Sequence, residues 1–132
     1  MTDRDHIVDV TVRYATAIDT REYSLLATVF TDDAVLDYGE VGQWNGAAAV
    51  TEFMDLAHAG AQHTMHRMTN QVIDVDGDTA HARTYVDALI LAEGGSGVNA
   101  IGFYDDDLAR TAAGWRITRR TFTQVRLVMV TG

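Results

Sequence analysis

Proton transfer near neutral pH calls for a side chain that can both take and give a proton there, and this chain offers five imidazoles: His6, His58, His63, His66 and His81. The unperturbed imidazole pKa, about 6.5, lies closest to neutrality among the side chains. A carboxylate beside the ring fixes which nitrogen carries the proton and stabilises the imidazolium as it forms. Asp19 has the position to be that partner for His66. It closes a segment in which Ile7, Val10, Tyr14, Ala17 and Ile18 recur at helical spacing, so it ends a helix whose apolar face must turn to the core. A carboxylate at the negative end of a helix dipole also gains from a cationic neighbour. The residues alone leave a second reading open, in which Asp19 merely ends its helix and His66 is a strand histidine with ordinary partners.

Other groups can join this chemistry. Tyr14 shares the buried stripe with Val10 and Ile18, where its ring packs and its hydroxyl needs one partner. That hydroxyl can donate to a leaving hydroxyl or to an enolate oxygen. Arg119 and Arg120 are adjacent in an extended stretch, so one is solvated and the other turns inward, where a guanidinium polarises a carbonyl or clamps an oxyanion. Asn70, Tyr104 and Asp106 are polar strand residues expected to line a pocket, with Trp44, Phe53, Met54 and Met68 as its wall. Met65 is expected in core or wall as well. Asp87 falls on the outer face of its strand, and His63, three residues from His66, on the opposite face from it. His6, His58 and His81 are expected in solvent, as is the run Asp105-Asp106-Asp107, although Asp106 is also a pocket candidate. No histidine and carboxylate set has ligand spacing, so neither a metal nor another cofactor is expected.

Composition narrows the classes further. A chain of 132 residues with 47% hydrophobic content fits one core, so a single domain over 1–132 is expected. The absence of cysteine excludes disulfides, thiolate metal sites, iron–sulfur ligation and cysteine nucleophiles. With 19 acidic against 10 basic residues, the net charge of −9 repels nucleic-acid backbones and anionic membranes. A neutral or apolar small organic molecule is the expected partner. No run of about 18 apolar residues occurs, and Met1 to Asp5 is charged, which gives the expectation of a cytoplasmic protein.

The elements that must position these groups read as follows. Thr2 and Asp5 have capping-box spacing ahead of a helix from about Asp3 to Asp19. A short second helix through Leu25, Leu26, Val29 and Phe30 is expected to stop at Thr31-Asp32-Asp33, followed by a strand over Ala34 to Tyr38. Ala47, Val50, Phe53, Met54 and Ala57 predict a third helix, closed by Gly60. From Gln62 onward, Asp76-Gly77-Asp78, Gly94 to Gly97 and Gly114 are three turn signals joining four strands of an antiparallel meander. Thr79 to Leu91 alternates cleanly, with Ala80, Ala82, Thr84, Val86, Ala88 and Ile90 on the inner face. Three helices before a curved antiparallel sheet make an α+β cone whose helices cover the concave side and enclose an apolar pocket.

In order and spacing, several of these pieces carry a resemblance: Arg13-Tyr14, Ile18-Asp19-Thr20, Phe30 to Ala34, Trp44-Asn45-Gly46, His63 to Asn70, Asp76 to Ala80, and Gly114 to Ile117. Over nearly its whole length the chain resembles the SnoaL-like branch of the nuclear transport factor 2-like superfamily, with its cystatin-like cone. Members with this layout include scytalone dehydratase, a bile-acid dehydratase and a hexachlorocyclohexane dehydrochlorinase, so the resemblance implies proton abstraction with loss of a leaving group. It also implies that Asp19, closing helix one, pairs with His66 on the first long strand. The dehydrochlorinase carries a lysine five residues before its aspartate and an arginine five after its last-strand tryptophan; here Tyr14 and Arg120 stand there. A tyrosine at the first position is closer to the dehydratases, where it helps handle the departing hydroxyl.

The catalytic candidates are therefore Asp19, His66, Tyr14 and Arg120. The leading reading is a cofactor-free lyase on a small apolar, cyclic substrate of polyketide, steroid or terpenoid type. An isomerase or polyketide cyclase would use the same groups, and a binding domain would hold the ligand without reacting it. The run Val125, Leu127, Val128, Met129 and Val130 is an apolar patch needing cover, which predicts a homo-oligomer, dimer or trimer.

Overall fold

The Thr2 side chain accepts from the Asp5 N–H at 3.2 Å and the Asp5 carboxylate accepts from the Thr2 N–H at 2.9 Å, so the capping box forms and starts helix α1, Asp3–Asp19. The computed structural model describes residues 1–132. Along α1, Ile7, Val10, Tyr14, Ala17 and Ile18 are all buried, as their spacing requires. Each large apolar side chain removed from water there contributes about 1.5–3 kcal/mol before entropy is counted.

A 3-10 helix, Tyr23–Thr28, follows, and strand β1 then spans Phe30–Asp37. This corrects the expected second helix at both ends. Val29 and Phe30 are buried not on a helix face but where Phe30 pairs with Ile117 of the last strand. That parallel pairing overrides the helical pattern, and a register irregularity between Phe30 and Val35 leaves Asp32 and Asp33 exposed instead of ending a helix. Strand β2, Gln43–Asn45, and helix α2, Ala47–His58, come next. The meander then runs through β3, His63–Asp76; β4, Thr79–Leu91; β5, Gly97–Thr111; and β6, Gly114–Val130.

All six strands form one sheet in the order β2-β1-β6-β5-β4-β3. The sheet curves, and its inner face carries the small residues of β4 expected from alternation: Ala80, Ala82, Thr84, Val86 and Ala88 are buried. Gly102 sits where β5 and β6 change register, and a Cβ there would collide with the Thr123 carbonyl. The close approach requires glycine.

Helix α1 is pinned along its length. At its start, the Asp3 carboxylate accepts from Arg110 at 2.7 and 2.8 Å and from the Trp115 indole at 3.2 Å. In its middle, Thr11 Oγ1 accepts from Gln71 of β3 at 2.6 Å. Beyond its end, Arg21, the one non-glycine residue with positive φ (61°), donates to the carbonyls of Ala61 and Gln62 just before β3. The C-terminus of α1 is thereby held against the start of β3, which is what brings Asp19 to His66.

Candidate active site

Asp19 meets three donors from β3. Oδ1 accepts from the Thr64 hydroxyl and from His66 Nδ1, each at 2.8 Å, and Oδ2 accepts from the His66 backbone N–H at 2.8 Å. A carboxylate only accepts, so Nδ1 carries the proton and the neutral ring keeps its lone pair on Nε2. Nε2 has no protein partner. Burial by itself would raise the Asp19 carboxyl, but the bonds from the His66 ring, the His66 N–H and Thr64 outweigh it and hold Asp19 below the usual carboxylate range. The His66 side chain is 5% exposed and that of Asp19 23%, so the pair stands at an edge of the core. It opens on a cleft of about 410 Å³ between α1 and β3, walled by Val12, Ala15 and Met68.

Inward from His66 the cone is aromatic, with a charged floor. The Tyr14 ring stands edge-on to His66, with 6.1 Å between centroids, and its hydroxyl meets Tyr38 Oη at 3.2 Å and Met54 Sδ at 3.7 Å. Arg120 donates through Nε and Nη2 to the two oxygens of Asp106 at 2.8 and 2.9 Å, with both side chains fully buried. Its guanidinium lies 3.9 Å from the Tyr104 ring centroid and 4.3 Å from that of Tyr14. Burial disfavours the Arg120 cation, but Asp106 overcomes this and holds its pKa above the ordinary value. Nη1 of Arg120 alone among the buried side-chain polar atoms has no hydrogen-bond partner. Burial likewise pushes the phenols of Tyr38 and Tyr104 well up, keeping both as neutral donors.

The wide end is closed by rings. Trp44 stacks on Phe53 at 3.6 Å, and Tyr38 stands 6.2 Å from Trp44 and 5.2 Å from Phe122. Beside His66, register places Ala88, Ala100 and Leu127 in one row across the sheet, and Ile90, Val98 and Met129 in the next. Directly paired residues share a face, so Leu127 and Met129 lie on the concave side that His66 faces. The C-terminal run is thus split between the two faces of the sheet, not gathered on one as expected.

The SnoaL-like domain model matches residues 1–121. This chain is a SnoaL-like domain. An uncharacterized protein of Mycobacterium tuberculosis is 35% identical over 127 residues, covering 94% of this SnoaL-like domain and 86% of the relative. A solved structure from Novosphingobium aromaticivorans, provisionally assigned as an aromatic ring hydroxylase, superposes with TM-score 0.89 at 34% identity, over 97% of this chain and 93% of that one. A hexachlorocyclohexane dehydrochlorinase of type 2 has the same fold: TM-score 0.88 at 20% identity, over 98% of this chain and 89% of its own.

Of the residues singled out in the sequence, Asp19, His66, Tyr14, Met54, Tyr104, Asp106 and Arg120 come together in the SnoaL-like domain. Trp44 and Phe53 are half-buried at the mouth, and Met68 lines the α1–β3 cleft. Arg119 points outward to Asp37, as one of the two arginines had to. Asp87 faces outward to Arg67 and Asn99, and His63 is exposed. Asn70 is a correction. A bulge between Met68 and Gln71 shifts the register, so Asn70 is exposed and Gln71 takes the inward place, bonded to Thr11 and Thr84. Met65 is 56% exposed because odd-numbered residues before that bulge face out. The expected solvated run Asp105-Asp106-Asp107 is corrected: Asp107 is exposed, Asp105 is half-buried against Arg83, and Asp106 is fully buried.

His58 is the other correction: it is buried, not solvated. The signal was present, since Ala47, Val50, Met54 and His58 make the buried stripe of α2 at steps of three, four and four. Sequence reasoning also missed Tyr38, whose hydroxyl faces Tyr14, although it ends the expected strand in step with Ala34 and Leu36, both buried.

Proposed function

We propose that this SnoaL-like domain is a lyase of the dehydratase type that needs no cofactor, acting on a small apolar, cyclic substrate that carries a hydroxyl on the carbon β to an activating carbonyl. The observation that carries the reading is the 2.8 Å bond between His66 Nδ1 and Asp19, which leaves Nε2 as an unpartnered base. His66 Nε2 takes the proton from the carbon next to the carbonyl, and the C–H electrons form an enolate. Asp19 holds the ring and stabilises the imidazolium. The enolate oxygen is met by the free Nη1 of Arg120, whose charge Asp106 keeps in place. As the enolate collapses, the C–O bond breaks, Tyr14 donates to the departing hydroxyl, and the imidazolium returns its proton to make water. Substrate entering the cone must part the Tyr14–Tyr38 and Tyr14–Met54 contacts. Aromatic walls and the shelf of Ala100, Leu127 and Met129 favour an apolar ring system.

A set of cyclic β-hydroxyketones, beginning with 3-hydroxycyclohexanone and fused-ring analogues, tests this by product mass. The expected product is lighter by one water, and His66→Asn lowers its rate by about 10²- to 10⁴-fold. A product of unchanged mass would make the protein an isomerase or cyclase using the same groups. A ligand recovered unaltered after long incubation would make it a binding domain. The same reading includes a homo-oligomer that covers Val125, which is 67% exposed on β6 and has no place on the substrate shelf. Light scattering at micromolar concentration is expected to give a mass above that of one chain; the mass of one chain would reject the oligomer.

A further inference from the structure

His58 has no part in the mechanism above, yet it is a buried imidazole beside the proposed base. It ends α2, and its Nδ1 lies 2.8 Å from the Met54 carbonyl one turn earlier. A carbonyl only accepts, so Nδ1–H is the donor and Nε2 of the neutral ring holds the lone pair. Nε2 has no protein partner. The ring centroid is 5.8 Å from that of His66, at an interplanar angle of 62°. Two imidazoles therefore adjoin, each with Nδ1 committed to an acceptor and Nε2 free.

Their surroundings differ. His66 has the Asp19 carboxylate against its Nδ1 at 2.8 Å, and His58 has only a neutral carbonyl. The charged groups acting on His58 are His66 on β3 and Asp19 and Arg21 at the end of α1. Burial pushes the His58 pKa down, and a cationic His66 and Arg21 add to this, against the opposing pull of the Met54 carbonyl and Asp19. Neighbouring titratable groups whose environments are pushed apart divide the acid and base roles between them. A proton on His66 also disfavours one on His58, so the pair favours a single proton over two.

We propose that His58 is the second proton carrier of this site, relaying to the leaving hydroxyl the proton that His66 removes from carbon. The proposal rests on the lyase reading and specifies its substrate further: the hydroxyl lies toward α2, away from the carbon that His66 deprotonates. The proton leaves carbon for His66 Nε2 as the C–H electrons form the enolate. It then passes to the His58 Nε2 lone pair, directly or through one water. From there it reaches the hydroxyl oxygen as the C–O bond breaks, and water departs with both rings neutral again.

A histidine that merely closed the last turn of α2 would be replaceable by any donor to the Met54 carbonyl. Asparagine at 58 is such a donor, because its amide nitrogen takes the place of Nδ1, but it has no Nε2. With 3-hydroxycyclohexanone as probe, His58→Asn is expected to keep the wild-type melting temperature and KM while kcat falls by about tenfold or more. An unchanged kcat and pH profile, with His66→Asn inactive, would overturn the relay and leave the lyase reading standing.

Nitrogen-15 spectra of the ring nitrogens against pH give a readout that needs no substrate. The relay predicts the Nδ1–H tautomer for His58 and an upward move of its titration midpoint in His66→Asn, where a cationic neighbour is lost. An Nε2–H tautomer, or a midpoint indifferent to His66, would overturn it. If wild-type protein dehydrates no β-hydroxyketone, the lyase reading fails and takes the relay with it; independent midpoints in a protein that does dehydrate remove the relay alone.

Discussion

Two carboxylate-centred pairs lie within reach of the Tyr14 ring, and they differ in kind. Arg120 and Asp106 join two adjacent strands, β6 and β5, with two parallel bonds and no exposure on either side. Asp19 and His66 join a helix end to a strand, leave one ring nitrogen free, and open on a cleft. A guanidinium against a carboxylate in a closed site is a fixed charge distribution, while an imidazole against a carboxylate at an edge can change its charge. The difference separates a closed pair that can only hold a fixed charge from an edge pair with one ring nitrogen free, and under the proposed lyase reading the first would meet developing charge while the second moves the proton.

The largest effect expected from this division is on stability. Asp106→Ala leaves the Arg120 cation buried without its partner and is expected to lower unfolding free energy by about 3–5 kcal/mol in urea titrations. Asp19→Asn, whose partners can turn to the cleft, should lose only about 1–3 kcal/mol. Equal losses would erase the distinction. Activity should show the reverse order: His66→Asn is expected to lower kcat by about 10²- to 10⁴-fold while stability stays within about 1 kcal/mol of wild type. Tyr14→Phe keeps the ring packed against Arg120 and removes only the hydroxyl, so steady-state kinetics should show a smaller fall, about tenfold.

The smallest effects are in pH dependence. The folded-state pKa of Asp19 is depressed, so its contribution to stability is complete above the unfolded value near 3.9 and is lost as pH falls through the folded value. That of His58 is also depressed. The unfolded chain then binds the extra proton, and stability falls as pH drops from about 6.5 toward the folded value. Thermal melts of Asp19→Asn and His58→Asn should each flatten their own window, and the loss of Asp19 should also depress the His58 midpoint further.

Much of this arrangement was legible in the sequence, for reasons that individual residues make plain. Asp19 and Tyr14 could be placed because α1 keeps a strict helical period from a real capping box to its end. Alternation required one of Arg119 and Arg120 to turn in and the family resemblance singled out Arg120, whereas nothing in the run Asp105-Asp106-Asp107 separated the buried Asp106 from its neighbours. Asn70 could not, because a bulge carries no signature in residue types and one extra residue reverses every side chain after it. The start of β1 was read as helix because Leu25, Leu26, Val29 and Phe30 satisfy a helical period, while the parallel partner that decides the matter, Ile117, lies far along the chain. His58 was assigned to solvent by residue type although its spacing from Met54 marked it as buried.

In the proposed reaction His66 Nε2, aligned by Asp19, takes a proton from carbon. Deuterium exchange isolates that step from any leaving group: a fused-ring ketone such as 2-decalone is incubated with the protein in heavy water, and incorporation at the carbon next to the carbonyl is followed by proton NMR. Wild-type protein is predicted to accelerate incorporation, and both His66→Asn and Asp19→Asn to bring it back toward the uncatalysed rate. Exchange as fast with His66→Asn as with wild type would contradict the account.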